Sequence, residues 1–127
     1  MSLKKYNGRF APTPSGPLHF GSLVTALASY LDVKSLKGNW WLRIEDCDLN
    51  RVKDNSVNLI KTQLLDHGLN WDYWPDDKGG IDGILYQRNR NSFYLKYFYF
   101  LAQSNQIFGC KCTKKMIKEI YKKKNLR

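Results

Sequence analysis

Apolar positions along the chain change period several times, and each change predicts an element. Residues 8–11 form a short, largely apolar run ahead of a Pro/Gly turn and read as a first strand. From His19 to about Lys34, the residues Phe20, Leu23, Val24, Leu27, Ala28 and Leu31 recur at helical spacing. That spacing predicts a helix with this face buried. Lys37-Gly38 closes it, a cation near the helix C-terminus and a glycine to reverse direction. Residues 39–45, rich in aromatic and β-branched side chains, predict a second strand. Strand, helix, strand makes a β-α-β unit with parallel pairing, so both strands end on the same side.

Further on, Asp54-Asn55-Ser56 offers caps for a helix carrying Val57, Ile60, Leu64 and Leu65, which stops at His67-Gly68. Residues 69–83, with Pro75 and Gly79-Gly80, read as irregular, and Ile84-Leu85-Tyr86 as a short strand. Phe93, Tyr94, Tyr97, Phe98 and Leu101 make an aromatic stripe at helical spacing, which predicts a core face rather than a base-stacking platform. Residues 106–112 read as a strand or ribbon, and Thr113 caps a last helix carrying Met116, Ile117 and Ile120.

With 127 residues and 43% hydrophobic side chains, the chain is expected to fold around a single core as one domain, residues 1–127. No run approaches the length of a membrane helix and the start lacks an apolar leader, so a soluble, cytoplasmic protein is expected. Three cysteines make no disulfide framework. Lys and Arg outnumber Asp and Glu by 21 to 11, a net charge of +10. Two readings stand: an RNA partner, or a lysine-rich solvated surface. Eight of the basic residues lie between Lys111 and Arg127, opposed only by Glu119, so the excess is concentrated in the tail.

Candidate chemistry gathers in residues 8–22, Gly-Arg-Phe-Ala-Pro-Thr-Pro-Ser-Gly-Pro-Leu-His-Phe-Gly-Ser. Pro12 and Pro14 keep this stretch out of a helix, and Gly16 and Gly21 leave room for a ligand near the backbone. Ser22 or His19 is placed to cap the helix, whose N-terminus suits an anion such as phosphate. It is neither a Walker loop nor a Gly-x-Gly-x-x-Gly turn. Arg9 sits inside the strand, where two readings are equal: a buried pair with Glu45 or Asp46, or a receptor for a ligand carboxylate. Glu45 and Asp46 read as a solvated cap cluster, an acid/base pair or a magnesium site. In open α/β sheets ligands bind beyond the carboxyl ends of strands, so the loops after both strands are expected to face one site.

The stretch resembles the first signature of class I aminoacyl-tRNA synthetases, with His19-Phe20-Gly21-Ser22 at the family's His-x-Gly-His. Residues 9–16 followed by Leu18-His19 are similar to the glutamyl branch. Phe20-Gly21-Ser22-Leu23, Arg43-Ile44-Glu45-Asp46 and the Cys-x-Cys at Cys110 and Cys112 are most similar to its glutamyl-Q tRNA(Asp) members. The resemblance runs from about Gly8 to Cys112 and implies an α/β fold. That fold is a Rossmann-like parallel β-α-β nucleotide-binding core, the N-terminal portion of a class I synthetase catalytic domain.

The resemblance also implies a reaction: ATP-dependent activation of glutamate with Mg2+, then transfer to the queuosine base of tRNA(Asp). His19 and Gly21 would be catalytic, His19 as a donor to ATP phosphate. Arg9, Phe10, Ala11, Pro12, Thr13 and Glu45 would bind glutamate, with Arg9 on its carboxylate and Glu45 on its ammonium group. Pro12, Gly16, Leu18, His19, Phe20, Gly21 and Ser22 would bind ATP. Asp48 and Arg51 would orient the second loop.

Residues 106–127 are expected to combine a zinc-binding Cys-x-Cys insertion with a basic tail. Cys110 and Cys112 are two of the four ligands that a structural Zn2+ site needs, and Tyr121 lies too close to Cys112 for the family's third. No counterpart of the family's second, lysine-bearing phosphate loop is present, so a missing C-terminal half is expected. Two other readings remain: a non-catalytic relic or RNA-binding fragment, and a fragment of an ordinary glutamyl-tRNA synthetase.

Overall fold

A computed structural model describes residues 5–74 and 80–123. Pro75 and Gly79, placed in an irregular stretch from the sequence, lie outside the described residues. The chain divides into two compact units, Met1–Ser92 and Phe93–Arg127.

The first unit holds the sheet. Its order is β1 (Asn7–Phe10), β2 (Asn39–Ile44), β4 (Ile84–Tyr86), β3 (Gly80–Ile81). β1 pairs with β2 and β2 with β4 in parallel, and only the short β3 runs antiparallel. α1 (Phe20–Ser35) connects β1 to β2, and α2 (Ser56–Asp66) leads from β2 toward β4. The expected parallel β-α-β core is therefore present, and with it the α/β class.

Strand alternation sets the core. Trp40, Leu42 and Ile44 of β2 are fully buried, while Asn39, Trp41 and Arg43 between them face the other side and are half-buried. Phe10, Ala26, Val33, Ile60, Leu64, Leu69 and Ile84 complete the buried cluster. Trp40 is its centre. It stacks on Phe10 at 6.2 Å, meets Tyr30 edge-on at 5.2 Å, and its indole N–H donates to Ser29 Oγ at 3.0 Å. Gly8, opposite Trp40 across the strands, lies so close to Val33 that a Cβ there would collide with its Cγ2.

Four sequence expectations need correction. The α1 face expected to be buried is instead mostly open: Phe20 is 82% exposed, and Val24, Leu27, Ala28 and Leu31 are exposed as well. The sheet takes the neighbouring face with Ala26 and Val33, because small and β-branched side chains let the helix sit close to the strands. The aromatic stripe of α3 (Asn91–Gln103) is not a core face, for this helix buries no residue. Residues 106–112 form no strand; the sheet elements all lie in the first unit, and a ribbon needs a partner for its backbone groups. Residues 69–83 are not wholly irregular either. Asp82 (φ 52°) and Gly83 (φ 74°) both take the left-handed conformation of a two-residue hairpin turn between β3 and β4.

The last helix begins as expected, but the reversal after α1 is made by Lys37 at φ 51° and not by Gly38, whose place is set instead by Tyr6 O, 2.5 Å from where a Cβ would stand. Gly38 N–H still reaches back to Val33 O at 2.9 Å. α4 (Lys114–Lys123) starts with Met116 N–H donating to Thr113 Oγ1 at 3.3 Å. α2 departs from expectation in its cap. Asn55 occupies that position with φ 60°, but its side chain bonds Asn58 instead of a free helix N–H. No helix of the described residues is long and apolar enough to cross a membrane.

Candidate functional site

Residues 11–18 leave β1 and are held at three points. Pro12 O accepts the Glu45 N–H at 3.0 Å, which ties this loop to the one after β2. Pro14 O accepts the Lys53 N–H at 2.9 Å. Gln63 of α2 clamps Leu18 twice, its Oε1 accepting the Leu18 N–H at 2.6 Å and its Nε2 donating to Leu18 O at 3.1 Å. The loop is thus braced by β2, by the segment before α2 and by α2 itself. A ligand meeting it would find backbone groups already in place, which lowers the ordering cost of binding. Nothing in the local sequence around Gln63 signals this role, since a glutamine on a helix is ordinarily a solvated residue.

His19 is the N-cap of α1. Its Nδ1 accepts the Ser22 N–H at 3.2 Å, and its Nε2 lies 3.1 Å from Ser22 Oγ. With Nδ1 accepting, the neutral ring carries its proton on Nε2 and donates to that hydroxyl. Gly21 has a steric reason to be glycine: a Cβ there would stand 3.2 Å from His19 Cε1 and 3.3 Å from Nδ1. Gly16 takes φ 144°, which also favours glycine.

Around this loop and helix start lies a cavity of about 290 Å³. Of the residues expected there, Phe10, Ala11, Pro12, Thr13, Gly16, Leu18, His19 and Ser22 line it, joined by Ser15, Pro17, Thr25 and Arg51. Arg51 is the one Lys or Arg among them. A cation beside a helix N-terminus makes the cavity suitable for an anion.

Four expected site residues are not in this lining: Arg9, Phe20, Gly21 and Glu45. Phe20 instead lines an apolar groove with Leu23, Val24, Leu27, His67 and Leu69. Arg9 is exposed, which overturns its reading as a buried ion-pair partner. It pairs in register with Trp41, so alternation puts Arg9, Trp41, Arg43 and Glu45 on one face of the sheet. Glu45 is 3.8 Å from Arg43, and Asp46 is held by Arg88, so neither acid takes Arg9 as its partner. Asp46 is 5% exposed and accepts both the Arg88 N–H at 2.9 Å and its Nε at 3.1 Å. That makes it a brace between β2 and β4, not a solvated cap residue.

Among the described residues no cluster of three or more His, Cys, Asp or Glu is arranged to hold a metal. Cys110 and Cys112 are both exposed. Hydrogen bonds from the Cys112 backbone and then its side chain hold the Cys110 thiol below its ordinary pKa. Two thiols remain half of a tetrahedral zinc set, and the described residues add no further ligand.

Residues 5–127 of the sequence match the family of class I tRNA synthetases (E and Q), catalytic domain. The chain belongs to this family. It is 44% identical over 113 residues to the glutamyl-Q tRNA(Asp) synthetase of Idiomarina loihiensis, covering 89% of this chain and 37% of that protein. It is 45% identical over 112 residues to the corresponding protein of Bordetella bronchiseptica, covering 88% and 32%. Among solved structures, glutamate-tRNA synthetase from Elizabethkingia anophelis superposes with a TM-score of 0.70 at 30% identity, covering 94% of this chain and 24% of that one. The chain thus spans about a third of the length of the curated relatives it matches. Within a class I synthetase catalytic domain, the braced loop and His19 form the stretch that the sequence singled out.

Proposed function

We propose that this chain carries the part of a glutamate-activating site that receives ATP, in an enzyme that passes glutamate to the queuosine base of tRNA(Asp). The observation that carries the reading is the cavity at the start of α1, lined by His19, Ser22 and Arg51 on a loop braced at Pro12, Pro14 and Leu18. In the reaction, a carboxylate oxygen of glutamate attacks the α-phosphorus of ATP. The new O–P bond gives glutamyl-adenylate, and the P–O bond to pyrophosphate breaks. Positioning and charge stabilisation carry such a step, with no covalent bond to the enzyme. Arg51 and the N–H groups of Phe20 and Gly21 at the start of α1 are the donors for the phosphates, and His19 Nε2 joins them by exchanging Ser22 Oγ for a phosphate oxygen. Mg2+ would enter with ATP and offset the charge of its phosphates.

The amino acid is assigned to the sheet face carrying Arg9 and Glu45, adjoining Thr13 through the Glu45–Pro12 bond. Glutamate is then preferred to glutamine, by about 0.2–1 kcal/mol because the exposed Arg9 guanidinium is screened by solvent. Calorimetry with each amino acid tests this, and equal binding removes Arg9 from the role. A structural Zn2+ is not assigned to Cys110 and Cys112, because the ligand set is incomplete.

A second reading is favoured by the one-third coverage of the relatives: this chain by itself does not turn over. Loss of one well-placed donor commonly costs about 10²–10³ in rate, and a whole lysine-bearing loop has no counterpart here. ATP–pyrophosphate exchange with glutamate, on the purified chain alone, separates the two. Negligible exchange with retained binding of ATP, weakened by His19→Ala, is the expected result. Robust exchange abolished by His19→Ala would show that the residues present suffice.

A further inference from the structure

The three braces on residues 11–18 differ in kind. At Pro12 and Pro14 a main-chain carbonyl meets a main-chain N–H, so neither bond depends on a side chain. At Leu18 the partner is a side chain, the carboxamide of Gln63. Of the three, this brace alone depends on which residue the sequence supplies. Gln63 stands at the edge of the α2 face that buries Ile60 and Leu64, and is itself half-buried. A polar group in that place costs free energy unless it is bonded, and both ends of the amide are used.

Peptide geometry dictates what the clamp fixes. Leu18 N–H lies in the peptide plane shared with Pro17, and Leu18 O in the plane shared with His19. Gln63 Oε1 accepts from the first at 2.6 Å and Nε2 donates to the second at 3.1 Å, so both planes are pinned. The Leu18 side chain packs against the core at the same time. His19 then turns into the helix at φ −85° and ψ 168°, and its carbonyl accepts the Ser22 and Leu23 N–H groups. Its ring lines the cavity, whereas Gln63 is not in that lining. Gln63 therefore reaches a ligand there through the main chain of Leu18.

We infer that Gln63 is a positioning residue for the phosphate site: its carboxamide, closed on both main-chain groups of Leu18, holds His19 in the orientation that serves the cavity. The consequence for ATP rests on the proposed function, but the clamp itself does not. Without the clamp, the cost of ordering this turn falls on the binding step.

The test compares the parent chain with Gln63→Met, which keeps the side chain's length and removes both hydrogen bonds. In NMR, the three-bond Hα–Hβ couplings of His19 should report one rotamer in the parent and averaging over several in the variant. Calorimetry should show ATP affinity about 3- to 10-fold lower, the ordering cost of about one side chain. In a His19→Ala background the same substitution should change ATP affinity by less than about twofold, because residues that act through one another are not additive. Circular dichroism checks helix content. If Gln63→Met unfolds, Gln63→Glu takes its place, keeping the acceptor for Leu18 N–H and losing the donor to Leu18 O. The charge it adds repels ATP with or without His19, so the His19→Ala background separates that effect. A single His19 rotamer in the variant, or an ATP affinity that is unchanged or falls equally in both backgrounds, overturns the inference. A parent that binds no ATP would overturn the proposed function instead, and the rotamer measurement would still decide whether Gln63 holds His19.

Discussion

The two units of this chain are both patterned with apolar residues at regular spacing, yet only one has a core. In Met1–Ser92, Trp40, Leu42, Ile44, Ile60 and Leu64 are fully buried between the sheet and two helices. In Phe93–Arg127 no described residue is buried, although α3 carries Phe93, Tyr94, Tyr97, Phe98 and Phe100. The first unit has a sheet onto which helices close, so the faces that meet it are buried, although α1 still leaves Phe20, Val24, Leu27 and Leu31 open. The second consists of helices and connecting segments, each leaving its apolar side accessible. A periodic stripe identifies a face suited to burial; it does not identify what buries it.

The largest expected effect tests the core directly. Trp40→Ala removes the ring packed on Phe10 and Tyr30 and leaves a cavity, and should lower stability by about 3–5 kcal/mol in chemical denaturation. A loss under about 1 kcal/mol would mean that the first unit is no better packed than the second. Next is Gly8→Ala, whose new methyl meets Val33 with no space to relax; overpacking of this kind costs about 1–3 kcal/mol. If that variant matches the parent, β1 and α1 are not in close contact.

A smaller, pH-dependent effect comes from Asp72. Desolvation pushes its pKa up, but the Lys34 ammonium at 2.7 Å, the Trp40 N–H and Lys5 outweigh this and hold it below the ordinary carboxylate value. A carboxyl depressed on folding contributes stability that is present above its unfolded pKa of about 3.9 and is lost as pH falls through the folded value. Asp72→Asn should therefore reduce stability at neutral pH slightly and flatten its decline below about pH 4. Parallel acid limbs for variant and parent would remove Asp72 from the account. The smallest effect belongs to the second unit: Phe98→Ala, on an exposed ring 5.8 Å from Tyr99, should change stability by less than about 0.5 kcal/mol. A loss approaching that of Trp40→Ala would show that α3 is covered in solution.

Much of the site was legible because its residues are close in sequence. Residues 8–22 carry their own turn, cap and helix start, and local chemistry narrows the cap to His19 or Ser22, between which the structure decides for His19. Asp82-Gly83 is equally local, a hairpin signal next to the expected Ile84–Tyr86 strand, hidden because its other arm, Gly80–Ile81, is only two residues long. Gln63, Arg51 and Asp46 were different. They act through Leu18, the cavity wall and Arg88, each brought near by the crossover of helix and strand, and no spacing in the chain encodes those meetings. Arg9 illustrates the same limit from the other side, since its strand was recognised while the side it faces was not.

Sequence alone determined the period of each element, the order of strand and helix, and hence that two loops would end on one side of a parallel sheet. Glycine, proline and capping residues impose those choices through backbone sterics and hydrogen bonding within a few residues. Tertiary structure decided which face of α1 meets the sheet, which acid pairs with which arginine, and that α3 has no core to enter. Those outcomes depend on competition among faces and charges distant along the chain, and on close packing that admits Ala26 and Val33 against the strands where bulkier residues do not fit.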